Sequence, residues 1–475
     1  MSSKNTTEPS TEAKTERNTK LKIIRVPSLK LMLYRHDILA WLLGMLFLTC
    51  MMAAMMVAGS KAGWNATSGY KHYNTSSSLR LMPEPEYCNE TNIKGRHGNG
   101  CTGRWYYWKL PLDKITPLST AIIWLCYSAH QISLWITIFL AQSNKMKQNC
   151  RETQKFGTKL HWYNWTVLII NALFFLIHLG QTHWTYDGLS QNVALASSEG
   201  SVILVLGLIL VLEYKDRGFM FLWPTKLSSD SIAKRIRLNY EPIKIVRKYH
   251  GYLICWATTY TFWYHPMENT WGHVLGFIHG GMLFLQGSLI YTRFHLNRYW
   301  RLLNEIWVII HGSFMAFQTR HGEVEARQQW PLYFLGFGLI LSCTQIFGLT
   351  FWRKIHFAFR AIPPLLFFVI SLILCGTEVI RGNAPGESSF ARLREIFYIP
   401  LEMYLILIAI WLLIYLMLKL EKHVIDDSDS SYNVTVNGIS EDRLTPQIVR
   451  MKILRKIFAR MHRILMKKSN TILQF

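Results

Sequence analysis

Long apolar blocks alternate along the chain with short polar or basic stretches, each block about the ~20 residues that a hydrocarbon core ~30 Å thick demands of a spanning helix. Ten such blocks are legible, at 37–59, 118–141, 161–180, 202–214, 249–264, 270–291, 302–318, 330–352, 361–380 and 398–420. The fourth is short and must draw on residues 193–201 to cross, as the fifth must on 243–248. A re-entrant segment at either place would change the count. The pattern predicts an all-α integral membrane protein, a polytopic helical bundle of about ten transmembrane helices. A β-barrel would instead show alternation over about ten residues.

Composition narrows the class further. Half of the residues are hydrophobic and 17% charged, against about a quarter charged in soluble proteins, so a soluble globular enzyme is excluded. The net charge of +23 would suggest a nucleic-acid partner in a soluble chain. In a polytopic one it reads as Lys/Arg enrichment of cytoplasmic segments, and no nucleic acid is implied. With the N-terminus inside, cytoplasmic segments hold 38 Lys/Arg and outer ones 13. Both termini are therefore expected in the cytoplasm: a basic tail over 1–36, a membrane bundle over 37–420 and a second tail over 421–475.

The same topology puts loop 60–117 outside, in the secretory pathway or at the plasma membrane. That loop clusters the sequons at Asn65, Asn74 and Asn89 and holds the pair Cys88 and Cys101. Glycosylation and a disulfide suit an oxidising compartment. Sequons at Asn5, Asn164 and Asn433 fall in cytoplasmic or embedded segments and read as chance matches.

In the C-terminal tail, residues 446–468 carry eight Lys/Arg and no acid, with Met451, Leu454, Phe458, Met461 and Leu465 at helical spacing. This is a basic amphipathic helix. Its expected partner is the anionic leaflet of the lipid bilayer, with a calmodulin-like partner as the sharper alternative.

Familiar catalytic signatures are missing. The chain has no G-x-x-x-x-G-K-[ST], C-x-x-C, G-x-S-x-G or H-E-x-x-H, and no two of its 17 histidines are three or four residues apart. The match to G-x-G-x-x-G at Gly98–Gly103 sits in the outer loop without a strand before it or a helix after it, and is discarded.

What stands out is imidazole at membrane depth. His130, His178, His273, His279 and His311 fall within blocks, and His265 ends one. Polar side chains there need partners, so these should face the bundle interior. In the sixth block Gly272, Gly276 and Gly280 recur every four positions, a spacing that admits a close neighbouring helix. His273 and His279 flank that stripe. Gln286 follows His279 by one heptad, and Asn304, His311 and Gln318 form a second heptad line in the seventh block. Two such lines on sequential helices predict a hydrated or ligand-holding seam, with Glu268, Glu378 and Glu402 near its outer end.

Imidazole and carboxylate together are the ligand set of zinc or non-haem iron, and imidazoles on different helices clamp haem iron. The favoured reading is therefore a haem b- or transition-metal-dependent redox protein or membrane enzyme acting on a lipid or small molecule. The alternative is a proton-coupled transporter or channel using the same His/Glu residues. Plainer roles stand beside both. The histidines can be satisfied core residues, Glu268 can serve a helix start, Glu378 can pair with Arg381, and Glu402 with Arg392 or Arg394.

Overall fold

The computed structural model describes residues 35–64, 66, 115–149, 156–223, 238–319, 329–382 and 386–432. Asn65, Asn74, Asn89, Cys88, Cys101 and the basic segment 446–468 lie outside them. Among the described residues there is no strand, and five cysteines, Cys50, Cys126, Cys255, Cys343 and Cys375, are free thiols.

The apolar blocks become α1 (His36–Lys61), α2 (Pro117–Asn149), α3 (Trp162–Thr185), α4 (Leu195–Arg217), α5 (Tyr240–Tyr264), α6 (Trp271–Ser288), α7 (Arg298–Thr319), α8 (Trp330–Cys343), α9 (Ile362–Gly376) and α10 (Tyr398–Tyr432). The two doubtful blocks are continuous helices of 23 and 25 residues. Seven of the helical segments are long and apolar enough to cross a membrane; α5, α6 and α7 fall outside that set. Two of these three, α6 and α7, carry the polar lines that the sequence singles out.

Local chemistry sets the helix ends. Thr116 and Ser119 exchange side-chain bonds with each other's backbone N–H at the start of α2, a reciprocal cap that satisfies two of the orphan donors of a first turn. The Asn239 side chain accepts from Glu241 N–H to cap α5. Prolines open α8 and α9, where a missing N–H costs nothing.

Direction follows from cross-helix contacts. A Cβ on Gly44 would strike Leu285, and one on Gly281 would strike Leu48, so α1 and α6 pack tightly and antiparallel. Asp37 accepts from the N–H of Phe294 just beyond α6, at 3.1 Å. Asn164 at the start of α3 donates to the Ser288 carbonyl at 2.7 Å, while Thr182 near its end accepts from Met267 N–H at 2.8 Å. Asn164 is fully buried in that role, as its reading as a chance sequon expects. Hence α1 and α3 run one way and α6 the other. The face where α1 starts is called the first face below, and the face where α6 starts the second.

Two large apolar cores result, with smaller clusters around Leu335 and Trp64. One gathers α1, α2, α3, α6 and the C-terminal half of α5 around Phe175, Phe262, Trp263 and Met55. The other gathers α4, α8, α10 and the N-terminal half of α5 around Leu208, Ile243 and Ile340. Val308 of α7 belongs to the second, and Trp300 of α7 to the first. Thus α5 and α7 join the two.

Candidate functional site: an imidazole file between α6 and α7

α6 and α7 pack antiparallel, with polar side chains in the seam between them. At the second face Gln318 accepts from Gly272 N–H at 2.6 Å. Lower down, the Trp307 indole donates to the Leu275 carbonyl at 3.0 Å. The His279 and His311 rings lie 5.9 Å apart between centroids, with the Asn304 backbone beside His279. At the first face Gln286 donates to the His295 carbonyl at 3.0 Å, and His295 Nδ1 meets the Gln286 carbonyl at 2.8 Å. Gln286, Asn304 and Gln318 therefore mark one polar line along α6, whose 18 residues span about 27 Å at 1.5 Å each.

The glycine stripe works differently from the pattern that drew attention to it. Gly276 makes room for His311, whose Nε2 lies 2.7 Å from the position a Cβ would take. Close approach of α1 uses Gly281 instead, and Gly280 has nothing within 4 Å of such a Cβ.

At the second face a buried cluster closes the seam. Glu268, 1% exposed, accepts from the Tyr186 hydroxyl and, at 2.9 Å, from Thr270 Oγ1. His273 Nδ1 lies 3.0 Å from the same carboxylate and 2.6 Å from Thr270 Oγ1. The His265 ring stands 5.2 Å from His273. His178, fully buried, packs on Trp263, Phe262 and Phe277 with ring centroids 4.3–5.5 Å away. Electrostatic neighbours chain these groups together: His178 to His130 and His273, and His311 to His273 and His279.

His130 is set apart by its bonds. Its Nδ1 accepts from the Trp263 indole at 3.2 Å, which leaves Nε2 protonated to donate to Asn171 Oδ1 at 3.0 Å. Asn171 in turn donates to Ser288 Oγ at 3.2 Å. With both nitrogens engaged in this arrangement, the ring has no lone pair left to offer a metal.

The donor set as a whole tests the metal expectation. Among the described residues, no group of three or more His, Cys, Asp or Glu is placed to hold a metal ion. The imidazoles are strung in file rather than converged on a point. Tetrahedral zinc and the two-histidine, one-carboxylate iron site both need at least three converging protein ligands. A haem clamped between two helices would take imidazoles facing each other across a porphyrin, whereas His178 is wedged among packed aromatic rings.

The carboxylates divide. Glu268 joins the histidines, but Glu378 is exposed just after α9 and Glu402 is exposed on α10. Glu402 is an electrostatic neighbour of Glu199, which accepts from Tyr333 at 3.2 Å. The expected partners of Glu402 are also taken elsewhere: Arg392 binds Glu395 with two bonds of 2.8 and 2.9 Å, and Arg394 binds Glu387.

Towards the first face two ion pairs join α4 to α7. Arg217 grips Glu305 with two bonds of 2.6 and 2.8 Å, both side chains about 5% exposed. Arg301 pairs with Glu213 alongside. Glu213 lies at the end of the short fourth block and Arg217 just beyond it. Tyr186, Asn171 and Trp263 carried no signal in the sequence, being ordinary polar or aromatic residues in apolar surroundings. Set against known protein families, curated proteins and solved structures, the chain has no match.

Proposed function

We propose that the chain is a ten-span membrane protein that conducts protons along the seam between α6 and α7. The observation that carries the reading is the order of groups down that seam. Glu268 with His273 and His265 comes first, then His311 and His279, then Asn304, and last Gln286 with His295. A neutral imidazole holds one donor and one acceptor, so it can take a proton at one nitrogen and release another. Ionisable groups within a membrane are costly, and ion pathways and proton relays are among the roles that retain them.

Three buried atoms support a hydrated seam. His279 Nε2, Gln286 Oε1 and Asn304 Oδ1 have no hydrogen-bond partner among the described residues. Each would cost about 1–3 kcal/mol if left so, whereas a polar site of this kind accommodates water with several partners. Proton hopping needs such bridges where ring centroids stand 5–6 Å apart.

The finer topology belongs to the same reading. Helices α5, α6 and α7 cross with the other seven, their lower apolarity following from the polar seam they enclose. Both termini face the cytoplasm by the charge asymmetry, loop 60–117 is glycosylated and disulfide-bonded outside, and residues 446–468 bind the anionic leaflet. Purified protein in vesicles with a trapped pH dye tests the conduction claim. A potassium diffusion potential should drive acidification well above that of protein-free vesicles; folded, inserted protein that leaves the rate unchanged overturns it.

A further inference from the structure

At the first face, away from the seam, four cations crowd around the junction of α4 and α5. Lys215 Nζ, Lys244 Nζ and the Arg247 guanidinium each lie 5.7–5.9 Å from the centre of one ring, that of Tyr240. Lys248 Nζ sits 5.0 Å over the next aromatic, Tyr249. Three like charges around one ring repel each other, and a ring face attracts each by only about 0.5–1 kcal/mol at an exposed site.

Acids do not balance them. Glu241 is bound to Lys244 at 2.6 Å, and Asp216, beside Lys215 in sequence, faces Arg353 at 3.1 Å. Arg247 is held in place by the Leu212 carbonyl and the Tyr240 hydroxyl. Lys215 and Lys248 are exposed and have no acidic partner among the described residues. The α5 N-terminus adds its own partial positive charge.

Directly along α5 from these cations the surface turns apolar. Tyr249 and Leu253 are 45% and 41% exposed, one helical turn apart, and on α2 Trp135, Ile136 and Phe139 are 41–61% exposed. The two helices are tied here by Gln142 to the Lys248 carbonyl and Trp135 to the Tyr252 carbonyl. A cationic head site continuous with an exposed apolar wall matches a molecule with a phosphate head and hydrocarbon tails.

We infer that Lys215, Lys244 and Arg247 around Tyr240, with Lys248 over Tyr249, bind the headgroup of an anionic phospholipid whose acyl chains run along α5 and α2. The site commits to lipid rather than free phosphate because the apolar wall has nothing to offer an inorganic anion. It is independent of the proton seam, since none of its side chains lies in the α6/α7 file.

The full-length protein in uncharged detergent is titrated with dioctanoyl phosphatidylserine, dioctanoyl phosphatidylcholine and inorganic phosphate, reading thermal stabilisation. Phosphatidylserine should act at about tenfold lower concentration than phosphatidylcholine, because several basic residues share its charge. The triple variant Lys215→Ala, Lys244→Ala, Lys248→Ala, all exposed positions, should show a several-fold smaller preference, and the Lys→Arg triple should keep the wild-type one. Equal preference in the wild type and the alanine triple overturns the site. Stabilisation by inorganic phosphate as strong as that by the lipid overturns its assignment to lipid.

Discussion

The Nε2 of His311 occupies the space that the missing side chain of Gly276 leaves, 2.7 Å from where its Cβ would be. The atom met there is the far end of an imidazole, which can swing aside. Gly276→Ala should therefore displace His311 from the file with little loss of fold stability. Proton flux in vesicles should fall while the thermal midpoint in detergent stays close to wild type. A large drop in the midpoint with flux intact would show instead that Gly276 serves packing alone.

Breaking the Arg217–Glu305 pair should be costly. Removing one partner strands a buried charge, a penalty of about 3–5 kcal/mol. Glu305→Gln or Arg217→Met should thus strongly destabilise the protein, while replacing both with Met should restore most of the loss. Unfolding of all three variants in detergent measures the coupling, and strictly additive losses would count against it.

His130 offers the converse case. His130→Phe keeps the stack on Phe174, now 4.3 Å between ring centres, but strips Asn171 Oδ1 and the Trp263 indole N–H of the partner each has in His130. Each orphaned group costs about 1–3 kcal/mol, so stability should fall. The flux per folded molecule should not change, because both nitrogens of His130 are already committed within the protein.

His295, in the turn between α6 and α7, gives a pH dependence. Burial lowers its pKa to about 4, with His250 a second cause. A histidine depressed in this way supports the fold above the ordinary histidine range near 6.5 and loses that support as pH falls from there towards 4. Thermal midpoints should drop over that window, and less so in His295→Gln. A variant with the same pH profile as wild type would remove His295 from the account.

Much of this was legible in the chain and some was not, for definite physical reasons. Membrane helices announce themselves through the length of apolar runs, so each of the ten blocks became a helix, including the short fourth. Heptad spacing of Gln286 with His279, and of Gln318 with His311 and Asn304, found the seam because a period is a local property. Convergence on a metal is not local. It depends on which way each ring turns, and the indole of Trp263, distant by 133 positions, decided that for His130. The Arg392–Glu395 pair escaped for a similar reason. Both residues lie in a 3-10 segment, Ser389–Phe397, where spacing by three brings side chains together more closely than the α-helical pattern assumes.

The most direct test of the central claim compares His279→Ala, His311→Ala and His130→Phe in one vesicle assay, with flux normalised to folded, inserted protein. Loss of a relay imidazole raises the barrier to transfer, and every ~1.4 kcal/mol is a tenfold loss of rate. The account predicts a drop of about that size or more for His279→Ala and His311→Ala, and wild-type flux for His130→Phe. Equal flux in all three, with only stability altered, would contradict it.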